Sequence, residues 1–207
     1  MALPQYLPRE PQDAPALASV PTAPKQPAYF RPWTYERYCA IPDDGYRYEV
    51  IWGELYVVPS PNEPHQYLLT ELVSIFHPFA KQYDLGKVYI APFDVLLFVG
   101  AVVQPDMLFV RKERLNIVTG ANVRGAPDLV VELLSPSTAA RDRGKKADAY
   151  AAAGVPHYWI FSPTAHTLEV YELGENGYAL IERLTESDTF TPALFPGLSI
   201  QLADLWS

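Results

Sequence analysis

A single cysteine, Cys39, is the only thiol in 207 residues. It leaves no route to an intramolecular disulfide or a cysteine-based zinc cluster. The four histidines, His65, His77, His157 and His166, have no partner at a zinc-ligand spacing. No stretch approaches the roughly 18 apolar residues of a membrane span. The opening MALPQYLPREPQDAP lacks the basic-then-apolar form of a secretion signal. A reducing cytoplasm, with no membrane partner, is the expected setting. A G-x-S-x-G elbow, a Walker A loop and a G-x-G-x-x-G turn are all missing, so triad, nucleoside-triphosphate and dinucleotide chemistries lose support. Positive charge is scarce as well. Sixteen Lys and Arg face 24 Asp and Glu, an adverse balance for a ligand rich in phosphate.

What is present is apolar and aromatic. The chain is 49% hydrophobic with 14 Tyr, enough for one sheet-rich domain with a sizeable core. Residues 1–33 differ in kind. They hold eight of the 21 prolines and show almost no periodicity, which predicts an extended or disordered arm ahead of a domain over 34–207. The arm carries Arg9, Lys25 and Arg31 against Glu10 and Asp13, so the domain is no less acidic than the whole.

Two carboxylates stand where carboxylates are costly. Asp106 lies in GAVVQPDMLFV and Glu132 in GAPDLVVELLS, runs whose Val, Leu, Met and Phe neighbours predict strands buried on both faces. Alternation puts Gln104, Asp106 and Leu108 on one face, and Asp128, Val130, Glu132 and Leu134 on one face of the next strand. If the strands are adjacent, Asp106 and Glu132 converge. An ionised carboxylate persists in such surroundings when it is paired, protonated or bound to a cation. A lysine follows on a predicted helix. Ser137 to Gly154 has a capping Ser or Thr, an alanine-rich interior and a terminal Gly. Asp142, Lys146 and Tyr150, four apart, share one face of it. Asp128 is the weaker ligand, because it lies four residues from Glu132 on one strand, a separation of ~13 Å.

In order along the chain, RYEVIWGELYVVPSP, VVQPDMLFV, APDLVVELLSPST, RDRGKKADAY, GVPHYWIFSP and PALFPGLSIQLADLW resemble the Uma-two family of restriction endonucleases, within the PD-(D/E)XK nuclease superfamily. The resemblance covers Tyr35 to Trp206. It implies a restriction-endonuclease-like α/β fold, a mixed β-sheet flanked by helices with short additional C-terminal strands. It also implies that Asp106 is the motif's Asp and Glu132 its second acid. Leu134 stands where the motif's lysine is usual, and the variant with the lysine on the following helix points to Lys146. Lys145 lies about 100° round that helix. Glu49, in YEVI, matches an upstream acidic position. Family members commonly carry Asp at Trp52, Glu at His157 and Asp at Ser162, so this chain departs from the pattern at three places.

The chemistry implied is hydrolysis of DNA phosphodiesters. A divalent ion, Mg²⁺ with Mn²⁺ as the alternative, is expected on Asp106, Glu132 and the Leu133 carbonyl, because hard oxygen ligands suit a hard cation. Lys146 would orient water or offset charge, Tyr150 would position Lys146 or meet a phosphate, and Asp142 would pair with Lys146. A homodimer would bring two sites to two strands. Arg111, Lys112, Arg114, Arg124, Arg141, Arg143, Lys145 and Lys146 flank these residues in sequence and would furnish a basic groove. The competing reading is a non-catalytic nuclease-fold binding or assembly protein in which Asp106, Glu132 and Lys146 form a buried ionic network. Taken singly, Glu49 or Glu54 also reads as a surface cross-strand partner of a hairpin, and Tyr150 as core.

Helices are predicted at 34–40, 62–83 (kinked or broken at Pro78) and 137–154. Strands are predicted at 46–51, 54–58, 88–90, 94–99, 103–110, 129–134, 158–161, 167–171 and 178–182.

Overall fold

The computed structural model describes residues 33–206, so the proline-rich arm lies outside the described residues except for Trp33. Thr34 caps a short helix, α1 (Tyr35–Cys39), by accepting from the Arg37 N–H. A hairpin follows, β1 (Arg47–Ile51) and β2 (Glu54–Val58). Next comes α2 (Glu63–Gln82), whose Asn62 cap accepts from the His65 N–H. Pro78 stands inside α2, yet the predicted break is absent. Leu72, Phe76 and Ala80 are buried on either side of it, and that packing carries the helix through.

The middle of the chain supplies β3 (Gly86–Ile90), β4 (Asp94–Phe98), β5 (Ala101–Val103), β6 (Met107–Arg111), β7 (Asn122–Arg124) and β8 (Leu129–Leu133). The long strand predicted over 103–110 is therefore two strands. Pro105 has no N–H to give a ladder, so the chain leaves one sheet at Val103 and enters another at Met107. Asp106 stands at this crossing rather than within a strand. Between the strands predicted at 103–110 and 129–134 the chain also forms β7, which runs parallel to β4.

The lysine helix is composite. It comprises α3 (Ala139–Arg141), one wide π-helical turn at Asp142–Lys146 and α4 (Ala147–Ala153), closed by Gly154 in the left-handed region at φ 85°. In the wide turn the Ala147 N–H reaches back five residues to the Asp142 carbonyl. The chain ends through β9 (His157–Ser162), β10 (Thr167–Gly174), β11 (Gly177–Thr185), β12 (Thr189–Phe190) and β13 (Ile200–Gln201).

Strands divide over two principal mixed sheets, ordered β2-β1-β5-β4-β7 and β11-β10-β9-β8-β6-β3, with β12-β13 as a small third. Each principal sheet has one parallel pair, β4/β7 and β8/β9, among antiparallel neighbours. The second sheet is buried on both sides. Met107, Phe109, Leu129, Val131 and Leu133 face a core with α2 and the C-terminal Phe190, Phe195 and Leu202. Leu108, Val110, Val130 and Leu134 face a second core with Val95, Val103, Tyr150 and Tyr158. This double burial is why both carboxylate-bearing runs read as unbroken apolar sequence.

Candidate active site

β8 sits between β6 and β9. The pairing Met107↔Val131 sets Asp106 beside Glu132 and Leu133 at the end of the β6/β8 ladder. The Asp106 carboxylate is held on both oxygens. Leu133 N–H donates to Oδ2 at 2.8 Å, and His65 Nε2 lies 3.1 Å from Oδ1. In a strand the N–H and C=O of one residue share an edge, so the Leu133 carbonyl emerges on the same side as its N–H, toward Asp106.

Glu132 projects to the other face of β8, and Lys146 meets it there. Lys146 Nζ is 2.6 Å from Glu132 Oε1, 3.0 Å from Glu49 Oε1 and 4.0 Å from Asp142 Oδ1. All four residues are at least 97% buried. The Tyr150 hydroxyl donates to Glu132 Oε1 at 2.7 Å, so it holds the acid and not the lysine. Glu49 also accepts from the Gln104 N–H at 2.8 Å, and its Oε2 is buried with no hydrogen bond among the described residues. Glu49 is thus central and not a surface partner. The exposed acid of the hairpin is Glu54, half exposed and paired with Lys145 of the lysine helix rather than across the strands.

Burial pushes the Glu132 carboxyl well above its ordinary range; Lys146 pulls it back, while Asp142, Asp106 and Glu49 push it further. Asp142 is raised by burial against the opposing pull of Lys146, Thr138 and Arg141. For Lys146 burial works downward, but Glu132, Glu49 and Asp142 outweigh it and keep the ammonium protonated. Tyr150 is raised far enough, by burial and then by Glu132, to remain a hydroxyl donor.

A cleft of about 220 Å³ opens onto this cluster, lined also by Arg47, Asn62, His65, Gln104, Ser135, Thr138 and Arg141. His65 escaped the sequence reading although a signal existed. It lies three, four and seven residues before Leu68, Leu69 and Leu72, on the buried stripe of α2. The predicted basic groove is mostly dispersed. Arg111 and Arg114 hold Asp128, Lys112 pairs with Asp84, Arg143 with Glu169 and Lys145 with Glu54. Asp128 is accordingly a structural acid and no ligand. Of the family departures, His157 opens β9 opposite Leu129, about three residues or ~10 Å along the sheet from Glu132. It pairs there with Glu172. Ser162 accepts from the Ala165 N–H in a turn, and neither residue lines the cleft.

The residues fit a hard cation. Glu49, Asp106, Glu132 and Asp142 share the cleft with Lys146, Arg141, Arg47 and His65, and a buried Glu49 oxygen is unsatisfied. Among the described residues, however, no group of three or more His, Cys, Asp or Glu is arranged to hold a metal ion. Asp106 and Glu132 would supply two side-chain ligands, and the main chain a third.

An acid at a strand break, an acid on the adjacent buried strand and a lysine from the next helix, carried on mixed sheets flanked by helices, define a restriction-endonuclease-like α/β protein. The chain belongs to the Uma2 family, described as "Putative restriction endonuclease", whose profile matches residues 34–203. Its fold is similar to that of a protein from Anabaena variabilis ATCC 29413 described as "a putative nuclease belonging to DUF820". The TM-score is 0.69 and the identity 20%, over 84% of this chain and 98% of that one. No curated protein matches the sequence.

Proposed function

We propose that this chain is a divalent-cation-dependent endonuclease that hydrolyses DNA phosphodiester bonds. The observation that carries the proposal is the convergence on one cleft of Asp106, Glu132 and Lys146, the last fully buried between Glu132 and Glu49. Burying three acids and a lysine is costly, and an apolar set of similar volume would serve stability as well or better. Chemistry explains why they are there. Asp106, Glu132 and the Leu133 carbonyl would hold Mg²⁺ or Mn²⁺, which when bound would polarise a phosphate oxygen and acidify water. The chain's own residues do the rest. Leu133 N–H and His65 fix the Asp106 carboxylate, and Tyr150 fixes Glu132 through Oε1. Lys146, held protonated, is no general base; its charge offsets negative charge that grows on the phosphate in the transition state. Two copies would cut the two strands of a duplex.

Titration of Mg²⁺ and Mn²⁺ into wild type and Glu132→Ala by calorimetry, with plasmid cleavage alongside, tests this. Glu132→Ala and Asp106→Ala should each lose cation binding and about 10³-fold or more in rate while melting cooperatively. Equal activity in the variants would refute the site. The mutual pairing of Lys146 with Glu132 and Glu49, complete without any ligand, favours a second reading, a non-catalytic assembly protein built on an ionic network. Folded wild type that neither binds these ions nor cleaves DNA would establish it.

A further inference from the structure

Arg141 is the last residue of α3 and lines the cleft beside Glu49. In a regular α-helix a residue five positions before Lys146 lies ~140° away from it. The wide turn at Asp142–Lys146 takes five residues where four are usual, and so brings Arg141 and Lys146 to one side. The Arg141 side chain is 16% exposed, with Nη2 4.0 Å from Glu49 Oε2 and Cζ 5.3 Å from the centre of the Tyr56 ring. Its Nε is buried with no hydrogen-bond acceptor among the described residues, and Glu49 Oε2 is buried with no donor. A cation and an anion at ion-pair distance that do not satisfy each other leave a guanidinium donor unspent, which a bound acceptor would use.

The ligand chemistry follows from what else is in the cleft. Lys146 is held by Glu132 and Glu49, so its charge acts on the phosphate from behind those acids and leaves the direct grip to another donor. Most nearby cations are paired with acids elsewhere. Arg141 carries a planar guanidinium, its Cζ lying over the Tyr56 ring at 5.3 Å from the centre, and such a fork matches two oxygens of one phosphate. Ser135 and Thr138, which share a 3.0 Å hydroxyl contact, line the same wall and add short donors.

Resting on the nuclease reading above, we infer that Arg141 is the substrate-contacting residue that grips the phosphodiester at the point of cleavage. The acid-rich cleft would otherwise repel that group.

Arg141→Gln and Arg141→Lys of the full chain test this, with binding measured apart from catalysis. The affinity of a labelled oligonucleotide is titrated against salt without divalent ions, and dTMP is used as a small phosphate probe in thermal shift. Expected for Arg141→Gln are about 10-fold weaker oligonucleotide binding, a salt slope shallower by roughly 0.7–0.9, loss of the dTMP shift and a raised KM in cleavage. Arg141→Lys should keep the salt slope but lose rate, because a point charge replaces the fork. Wild-type slope, dTMP shift and KM in Arg141→Gln would overturn the assignment while leaving the nuclease intact. If Arg141→Gln does not fold, Arg141→Lys with wild-type rate and KM overturns it. Wild type that neither binds nor cuts DNA would overturn both.

Discussion

Alternate residues of one strand, β8, look into two different interiors. Val131 and Leu133 face the α2 core, where Leu72, Phe76, Trp159 and Phe195 are sealed by contact alone. Glu132 faces the other core and meets Lys146, Tyr150 and, through Lys146, Glu49. Both sets of side chains are buried, yet they are held together differently. The first is stabilised by buried area and close packing, which no proton disturbs. In the second, each charged group is tolerable only because its partners are in place. One side of the strand serves stability, and the other holds an expensive arrangement that the first side must sustain.

The greatest loss of stability should follow removal of Lys146, the one fully buried cation among the described residues. Lys146→Met leaves Glu132, Glu49 and Asp142 without their common partner, and should cost about 3–5 kcal/mol near neutral pH. Glu132 is already raised above the ordinary carboxylate range by burial, and losing Lys146 raises it further. A carboxyl raised in the folded state favours folding below its unfolded value, and that contribution is lost as pH rises through the folded value. The variant's deficit should therefore grow between about pH 5 and about pH 8, as read by denaturant unfolding at both. A flat deficit would mean that the cluster does not titrate. Leu72→Ala, in the other core, should cost about 2–5 kcal/mol. Its cost should differ by less than ~0.5 kcal/mol between the two pH values, because no charge is involved. A strong pH dependence there would show that the two cores are not separable.

The alternation that separates these cores was legible in the sequence. The runs around Asp106 and Glu132 gave burial on both faces, and period two set Val130, Glu132 and Leu134 together, as the structure has them. The composite helix was readable in extent and in its Asp142/Lys146/Tyr150 face. Three things were not. The crossing at Pro105 looked like one strand because a proline between apolar runs does not announce a change of sheet. The wide turn at Asp142–Lys146 has no residue signature beyond Gly144, so Arg141 could not be placed. Charge flanking in sequence suggested a groove, whereas the acids that neutralise it, Asp84, Asp128, Glu169 and Glu54, come from other strands and loops. These are long-range contacts, which local pattern does not encode.

The smallest expected effect lies at the turn between β1 and β2, which tethers the Glu49 strand to the lysine turn. Trp52 and Gly53 both have positive φ, 53° and 75°, the two-residue geometry that favours Asn-Gly or Asp-Gly. A tryptophan there bears roughly 1–2 kcal/mol of left-handed strain. It is held by Phe98, with ring centres 5.0 Å apart, and by Nε1 donating to the Lys145 carbonyl at 3.3 Å. An aromatic pair contributes about 0.5–1.5 kcal/mol, close to the strain it offsets. Trp52→Asn relieves the strain and loses the pair, so stability should move by less than about 1 kcal/mol. Trp52→Ala loses the pair without gaining Asn's tolerance of positive φ, and should fall below Trp52→Asn by roughly 0.5–1 kcal/mol. Thermal unfolding of the two variants isolates the turn's own preference. Equal melting temperatures would mean that backbone strain at position 52 does not govern this corner.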